Sequence, residues 1–125
     1  MKLENCRLIE PFICNESDTV VTVAQKLRAI TLRHIFVVRD KYPIGIISVM
    51  DINNRVVAEN KDLVSTVAKD IMSQPIDVFT EEDDIDSVAT RMINKGQAMN
   101  AVVKDGSMIG IITLHELLRL KNEKD

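Results

Sequence analysis

The hydrophobic and polar positions of the chain run through the same order twice. Apolar residues recur at helical spacing over 20–30 and again over 85–92, each time directly after polar residues that favour the start of a helix. A short run rich in β-branched residues follows each helix, at 35–38 and at 101–103, and is succeeded by a turn and a second apolar run. This pattern predicts two copies of one small folding unit.

Further segments complete both copies. Short extended stretches precede the helices at 12–14 and 76–79, and second helices are expected at 51–60 and 115–122. The connection over 62–73 has no cluster of Gly or Pro, so we expect a structured, helical link. We therefore predict the α+β class, with two tandem strand–helix–strand–strand–helix repeats packed around a pseudo-twofold axis.

The repeat is also visible residue by residue. Residues 37–47 and 102–112 are identical at seven of eleven positions, at a constant offset of 65. Such self-similarity is the signature of a duplicated structural unit. We divide the chain into a first repeat at 1–62 and a second at 63–125. Because either half alone would bury little apolar surface, the two are expected to form one domain with a cleft between them.

Composition narrows the classes of function. The chain is 46% hydrophobic and 28% charged but only 3% aromatic, as expected for a soluble protein with an aliphatic core. A net charge of −3 argues against a nucleic acid partner, which concentrated Lys and Arg would bind. No apolar run could span a bilayer, and no signal peptide is evident, so we expect a cytoplasmic protein without a membrane partner.

The chemistry-bearing residues do not suggest an enzyme. The pattern contains no nucleophile–base pair, no Gly-rich phosphate loop and no set of metal ligands, so no catalytic residue, metal site or cofactor is predicted. One constellation is more specific: Ser48 ends a strand, and Asp51 follows three residues later in a helix. The carboxylate can accept two hydrogen bonds from a vicinal diol such as a ribose, or the two residues can simply cap the helix.

These features together resemble a known family. The order of elements, the ending Gly-Ile-Ile-Ser/Thr-x-x-Asp/Glu and the Val-Val-x-Asp entry to a hairpin, each present twice, resemble the CBS (cystathionine-beta-synthase) domain. Two in tandem are similar to a Bateman module. The resemblance implies a non-catalytic, regulatory module that binds an adenosine-containing ligand, such as AMP, ADP, ATP or S-adenosylmethionine, in a cleft between the repeats.

The resemblance also implies roles for particular residues. Asp51 would bind the ribose with Ser48 beside it. Arg33, with its neighbour His34, would face phosphate, although both could equally form a solvated helix end, where cations are favoured. The base would rest on the extended segment of the opposite copy, formed by Ile76, Asp77 and Val78.

The second copy departs from this pattern. Glu116 stands where the ribose-binding Asp is expected, and Ala98 and Met99 replace the basic pair, although Thr113 retains the hydroxyl. Its opposite segment would include Phe12 and Ile13. We expect this second cleft to be weak or vacant, and we expect His115 and Glu116 to be polar surface residues.

The expected output is regulation of a separate, unidentified effector protein. The apolar helix stripes exceed what one core needs, so a homodimer is also expected. The alternative function is a ligand-free scaffold for dimerisation or protein interaction.

Overall fold

The chain folds into two compact units. The computed structural model describes residues 1–124. Residues 12–76 form one unit, which we call the first-copy unit. Residues 1–11 and 77–125 are grouped in the other, the second-copy unit.

The first-copy unit is a three-stranded sheet with helices. Its strands follow the order β1-β2-β3, in which β1 is parallel to β2 and β2 is antiparallel to β3. Its elements in chain order are β1 (Ile13–Asn15), α1 (Val20–Arg28), β2 (His34–Arg39), β3 (Tyr42–Ser48), α2 (Val49–Ile52) with a π-helical turn (Asn53–Val57), and α3 (Ala68–Ile71).

The second-copy unit repeats this plan. Its sheet has the order β4-β5-β6 with the same parallel and antiparallel pairings. Its elements are a 3₁₀ turn (Leu3–Asn5), β4 (Val78–Thr80), α4 (Ile85–Lys95), β5 (Met99–Lys104), β6 (Ser107–Thr113) and α5 (Leu114–Lys124). The predicted α+β class and the two strand–helix–strand–strand–helix repeats are thus confirmed.

Both hairpins close through the same kind of turn. Asp105 and Gly106 have φ angles of 51° and 78°, and Asp40 and Lys41 have 49° and 72°. Positive φ at both central residues is typical of the type I′ turn, whose twist matches that of the flanking strands. The hairpin expected after each Val-Val-x-Asp segment is thus present in both copies, and the first copy makes the same turn without a glycine.

Each unit has its own aliphatic core between helix and sheet. In the first-copy unit Val23 and Leu27 of α1 pack with Ile35 and Ile47 of the sheet. The second-copy core, which contains Leu3 as well as residues of α4 and the sheet, follows the same plan. Each fully buried aliphatic side chain contributes roughly 1.5–3 kcal/mol, so these stripes explain why the helices form where the apolar spacing predicts.

The segment that opens each copy packs on the other copy's unit. The Leu3 amide donates to the Asp83 carbonyl at 2.9 Å, and 65 residues later the Ala68 amide donates to the Asp18 carbonyl at 2.8 Å. Both apolar residues are fully buried. The packing boundaries therefore fall at 11/12 and 76/77, whereas the sequence copies were divided at 62/63, because each opening segment finds its carbonyl partners beside the long helix of the other copy.

Two repeated glycines accommodate these opening segments. A Cβ atom on Gly110 would lie 2.7 Å from Leu8 Cβ and 3.0 Å from the Ile9 carbonyl oxygen. A Cβ on Gly45 would collide with the side chain of Met72. Close backbone approach thus explains the glycine in the repeated Gly-Ile-Ile motif.

The helix after β3 and the link that follows it differ from the expected ranges. The helix expected over 51–60 begins instead at Val49, because Ser48 caps it, and its regular α-helical part ends at Ile52 before a π-helical turn. The expected link over 62–73 contains only the short helix α3, preceded by exposed residues.

Within residues 1–124 no helix combines the length and the apolar character needed to cross a bilayer.

Candidate functional site

The first-copy unit gathers four of the expected ligand residues at one end of its sheet. His34, the first residue of β2, pairs in register with Ser48, the last residue of β3. The Val49 amide, at the start of α2, lies 3.4 Å from the Arg33 carbonyl oxygen. Asp51 follows in the first turn of α2. We call these four residues, Arg33, His34, Ser48 and Asp51, the first-copy site.

Ser48 and Asp51 form a reciprocal capping box. The Asp51 amide donates to Ser48 Oγ at 3.1 Å, and the Ser48 amide donates to Asp51 Oδ2 at 2.8 Å. The helix-capping alternative is therefore realised. The capping box leaves hydrogen-bonding capacity on both side chains, because the Ser48 hydroxyl proton and Asp51 Oδ1 take no part in it.

Arg55 provides the second partner of Asp51. Its Nε lies 3.8 Å from Asp51 Oδ1, one helical turn further along the chain. The same guanidinium donates from Nη1 to the Ile71 carbonyl oxygen at 2.8 Å, which links the π-helical turn after α2 to the end of α3. The Asp51 side chain is 18% exposed, so its carboxylate is oriented by neighbours and still reaches solvent.

The basic pair occupies an unusual stretch of backbone. Arg33 has a φ of 57°, in the left-handed region that non-glycine residues rarely adopt. His34 is fixed differently, because its Nδ1 lies 2.8 Å from the Leu32 carbonyl oxygen. That contact makes Nδ1 the donor and leaves Nε2 as the ring nitrogen for other partners.

The segment predicted to carry the base is divided between the two units. Ile76 ends the first-copy unit and is half-buried, whereas Asp77 and Val78 belong to the second-copy unit. The Asp77 carboxylate accepts two hydrogen bonds from Arg91, at 2.9 and 3.1 Å, and pairs with Lys95 at 2.9 Å. Hydrogen bonding from the Arg91 guanidinium, followed by that from Lys95, lowers the pKa of Asp77 below its usual range despite partial burial.

Backbone groups of Asp77 are also engaged. The side-chain Nδ2 of the buried Asn100 donates to the Asp77 carbonyl oxygen and to Gln97 Oε1, each at 3.2 Å. Both the side chain and the carbonyl of Asp77 therefore have structural partners, which anchor the start of β4 to α4 and β5.

In the second copy Glu116 is buried, and both of its carboxylate oxygens accept hydrogen bonds. It is 7% exposed, so the expectation of a polar surface residue is wrong for Glu116, although His115 is exposed. Arg119 donates to both of its oxygens, at 2.8 and 3.0 Å, and the Arg7 backbone amide donates to Oε2 at 2.8 Å. Hydrogen bonding from Arg119 lowers the pKa of Glu116 more than burial raises it.

The remaining residues expected at the second cleft have structural partners or are exposed. Thr113 Oγ1 accepts the Glu116 amide at 3.2 Å and so caps α5. The Phe12 carbonyl accepts the Phe36 amide at 3.0 Å, and Ile13 opens β1 with 38% of its surface exposed. Phe12 and Ile13 belong to the first-copy unit, and Thr113 and Glu116 to the second-copy unit.

The sequence analysis did not identify the residues that contact Asp51 and Glu116. Arg55 and Arg119 lie four and three residues after the carboxylates they contact, a spacing at which helical side chains meet, so that signal was present. Arg7 was not predictable, because its contact with Glu116 spans 109 residues and uses only its backbone.

The chain matches the CBS domain family twice, over residues 8–58 and 68–123. It belongs to the CBS domain family, and the two matched regions make it a tandem CBS domain pair.

Relatives and solved structures agree with this assignment. An uncharacterized protein from Methanopyrus kandleri is 33% identical over 107 residues, which cover 84% of the chain and 55% of that relative. The chain thus spans about half the length of the curated relative it matches.

Two solved structures were determined with ligands. The CBS domain pair of protein MJ0100, in complex with 5′-methylthioadenosine and S-adenosyl-L-methionine, is 25% identical with a TM-score of 0.76, covering 100% of this chain and 98% of that one. The cytosolic domain of the Mg²⁺ channel MgtE, in complex with ATP, is 25% identical with a TM-score of 0.73, covering 90% of this chain and 46% of that one.

Proposed function

We propose that the chain is a non-catalytic regulatory module that binds an adenosine-containing ligand at the first-copy site and signals to a separate protein. The observation that carries this proposal is the clustering of Ser48, Asp51 and Arg33 at one end of the β1-β2-β3 sheet. A diol acceptor, a hydroxyl and a cation are the groups that a ribose and its phosphate require.

Asp51 is the ribose acceptor in this proposal. The capping box and Arg55 hold its carboxylate in one orientation, so little side-chain entropy is lost when a diol binds. Ser48 keeps its hydroxyl proton for a sugar or phosphate oxygen, and Arg33, with His34 beside it, supplies the positive charge. The role of Ile76, Asp77 and Val78 in carrying the base stays a prediction from the sequence.

The ligand class is supported by similarity. The CBS pair of MJ0100 and the cytosolic domain of MgtE were both solved with adenosine compounds, and both are 25% identical to this chain. The adenosine moiety common to those ligands is the part that Asp51 and Ser48 would recognise.

A second candidate function is a ligand-free dimerisation or interaction scaffold. It is favoured by exposed apolar side chains on the first-copy unit, among them Val57 at 61%, Leu63 at 45% and Val64 at 74%. A second copy of the chain or an effector protein would cover these side chains.

Calorimetric titration of Asp51→Ala with adenosine and AMP tests the proposal. We expect affinity for both ligands to fall about ten- to a hundredfold, because hydrogen bonds to a charged group contribute roughly 1.5–3 kcal/mol each. The matched control is Asp70→Ala, since Asp70 likewise accepts a backbone amide at the start of a helix, from Val67 at 3.3 Å. Equal affinities for wild type and Asp51→Ala would refute the ribose assignment, and a wild type that binds none of these ligands would favour the scaffold.

A further inference from the structure

A cavity in the first-copy unit adjoins the proposed phosphate cation. It lies between the end of α1 and the start of α2 and has a volume of about 640 Å³. Leu27, Ile30 and Ile52 contribute apolar surface to it, and Arg33 of the first-copy site lines it together with Arg28. This volume falls within the range of small-molecule sites, roughly 300–1,000 Å³.

The two guanidinium groups at this cavity differ from most other arginines of the chain. Four of the five others pair with a carboxylate within 4 Å, namely Arg39, Arg55, Arg91 and Arg119, and Arg7 is the exception among residues 1–124. Among residues 1–124 neither Arg28 nor Arg33 has such a partner. Two cations beside one cavity repel each other, and an anion bound between them would offset that repulsion.

The backbone and the second copy give independent support. Arg33 adopts a left-handed conformation, which non-glycine residues rarely adopt and which is concentrated at functional sites. At the 65-residue offset, Ile93 and Ala98 stand at the positions of Arg28 and Arg33. The cationic cavity is therefore a property of the first copy and not of the shared fold.

We propose that Arg28 is a specificity-determining residue that binds a distal phosphate, so that the ligand of the first-copy site is an adenosine di- or triphosphate rather than AMP or S-adenosylmethionine. This inference rests on the proposed function. Arg33 contacts the phosphate nearest the ribose, and Arg28 contacts the next one. S-adenosylmethionine is disfavoured because its sulfonium is a cation and meets two guanidinium groups.

Titrations of the full chain with AMP, ADP and S-adenosylmethionine test this assignment. We expect wild type to bind ADP about tenfold tighter than AMP, since a second charge-assisted contact forms at a partly exposed site. Arg28→Gln reduces this preference to about threefold or less, and Arg28→Lys restores part of it. Lys26→Gln is the matched control, because Lys26 lies on the same helix, carries the same charge and lines neither this cavity nor the adjoining one.

The outcomes separate the two proposals. If wild type binds adenosine and AMP but binds ADP no tighter, or if Arg28→Gln weakens both nucleotides equally, the role of Arg28 is refuted while the adenosine site stands. If no adenosine compound binds, both proposals fall. Thermal unfolding of Arg28→Gln without nucleotide separates loss of the ligand contact from loss of a cation that stabilises the C-terminus of α1.

Discussion

Asp51 and Glu116 occupy matching places in the two copies but perform different tasks. Asp51 caps α2, and its second carboxylate oxygen lies outside the capping box, 3.8 Å from Arg55 Nε. Glu116 is one methylene longer and reaches Arg119 and the Arg7 amide, so its two oxygens accept three hydrogen bonds. The longer side chain of Glu116, together with Arg119 where the first copy has Asn54, thus holds the N-terminal segment to α5.

The structural role of Glu116 predicts a measurable loss of stability. Glu116→Gln should lower the free energy of unfolding by about 2 kcal/mol at pH 7, because the Arg7 amide and the Arg119 guanidinium lose a charged acceptor that is itself buried. Urea denaturation measures this change. The control is Glu123→Gln, since Glu123 pairs with Arg119 at 2.7 Å but is 63% exposed, and this substitution should cost less than about 0.5 kcal/mol.

The ion pair of Glu116 with Arg119 predicts that the free energy of unfolding depends on pH. The folded-state pKa of Glu116 lies below the ordinary glutamate value of 4.5. The stabilisation is therefore fully present above that value and is lost as the pH falls through the folded-state pKa. The difference between wild type and Glu116→Gln should therefore shrink as the pH falls below about 4.5. A difference that stays constant from pH 7 down to pH 3 would refute the role of the ionised carboxylate.

At the scale of elements, each opening segment passes close to a glycine of a sheet strand. Gly110→Ala should destabilise the protein by about 1–3 kcal/mol, because its new Cβ meets Leu8 Cβ and a backbone carbonyl that cannot move aside. Gly45→Ala is the matched comparison and should cost less, since the flexible side chain of Met72 can adopt another rotamer. Equal losses in denaturant titrations would contradict this view of the two contacts.

The sequence predicted the elements well where a local signal existed. The stripe from Val20 to Leu27 and the Asp105-Gly106 turn identify a helix and a hairpin through spacing and turn chemistry alone. The early start of α2 at Val49 was missed because Asp51 was interpreted as the first residue of the helix rather than the third. The contact of Leu3 with Asp83 was not predictable, because it joins residues 80 positions apart and has only backbone partners.

The site was predictable to a lesser extent than the fold. The grouping of Ser48 with Asp51 follows from their three-residue spacing, whereas the pairing of His34 with Ser48 depends on strand register. Asn100 carried no sequence signal, because an asparagine in an apolar run gives no indication that it will be buried and bonded to the Asp77 carbonyl. Long-range hydrogen bonds of this kind are specified by tertiary packing rather than by local pattern.

At the scale of the whole molecule, duplication has produced two similar units with unequal chemistry. Each is completed by the opening segment of the other copy, and both bury comparable aliphatic cores. The cavity lined by Arg28 and Arg33 and the partly exposed Asp51 belong to the unit of residues 12–76. Glu116, whose two oxygens have partners, belongs to the other unit. We therefore expect one ligand per chain, although the fold offers two related positions.

The stoichiometry of ADP binding to the full chain, measured by isothermal titration calorimetry, tests this central claim most directly. The account predicts a single class of sites with one ADP bound per chain. Two equal sites per chain would contradict the expected asymmetry between the copies, and the absence of ADP binding would contradict the ligand assigned to the first-copy site.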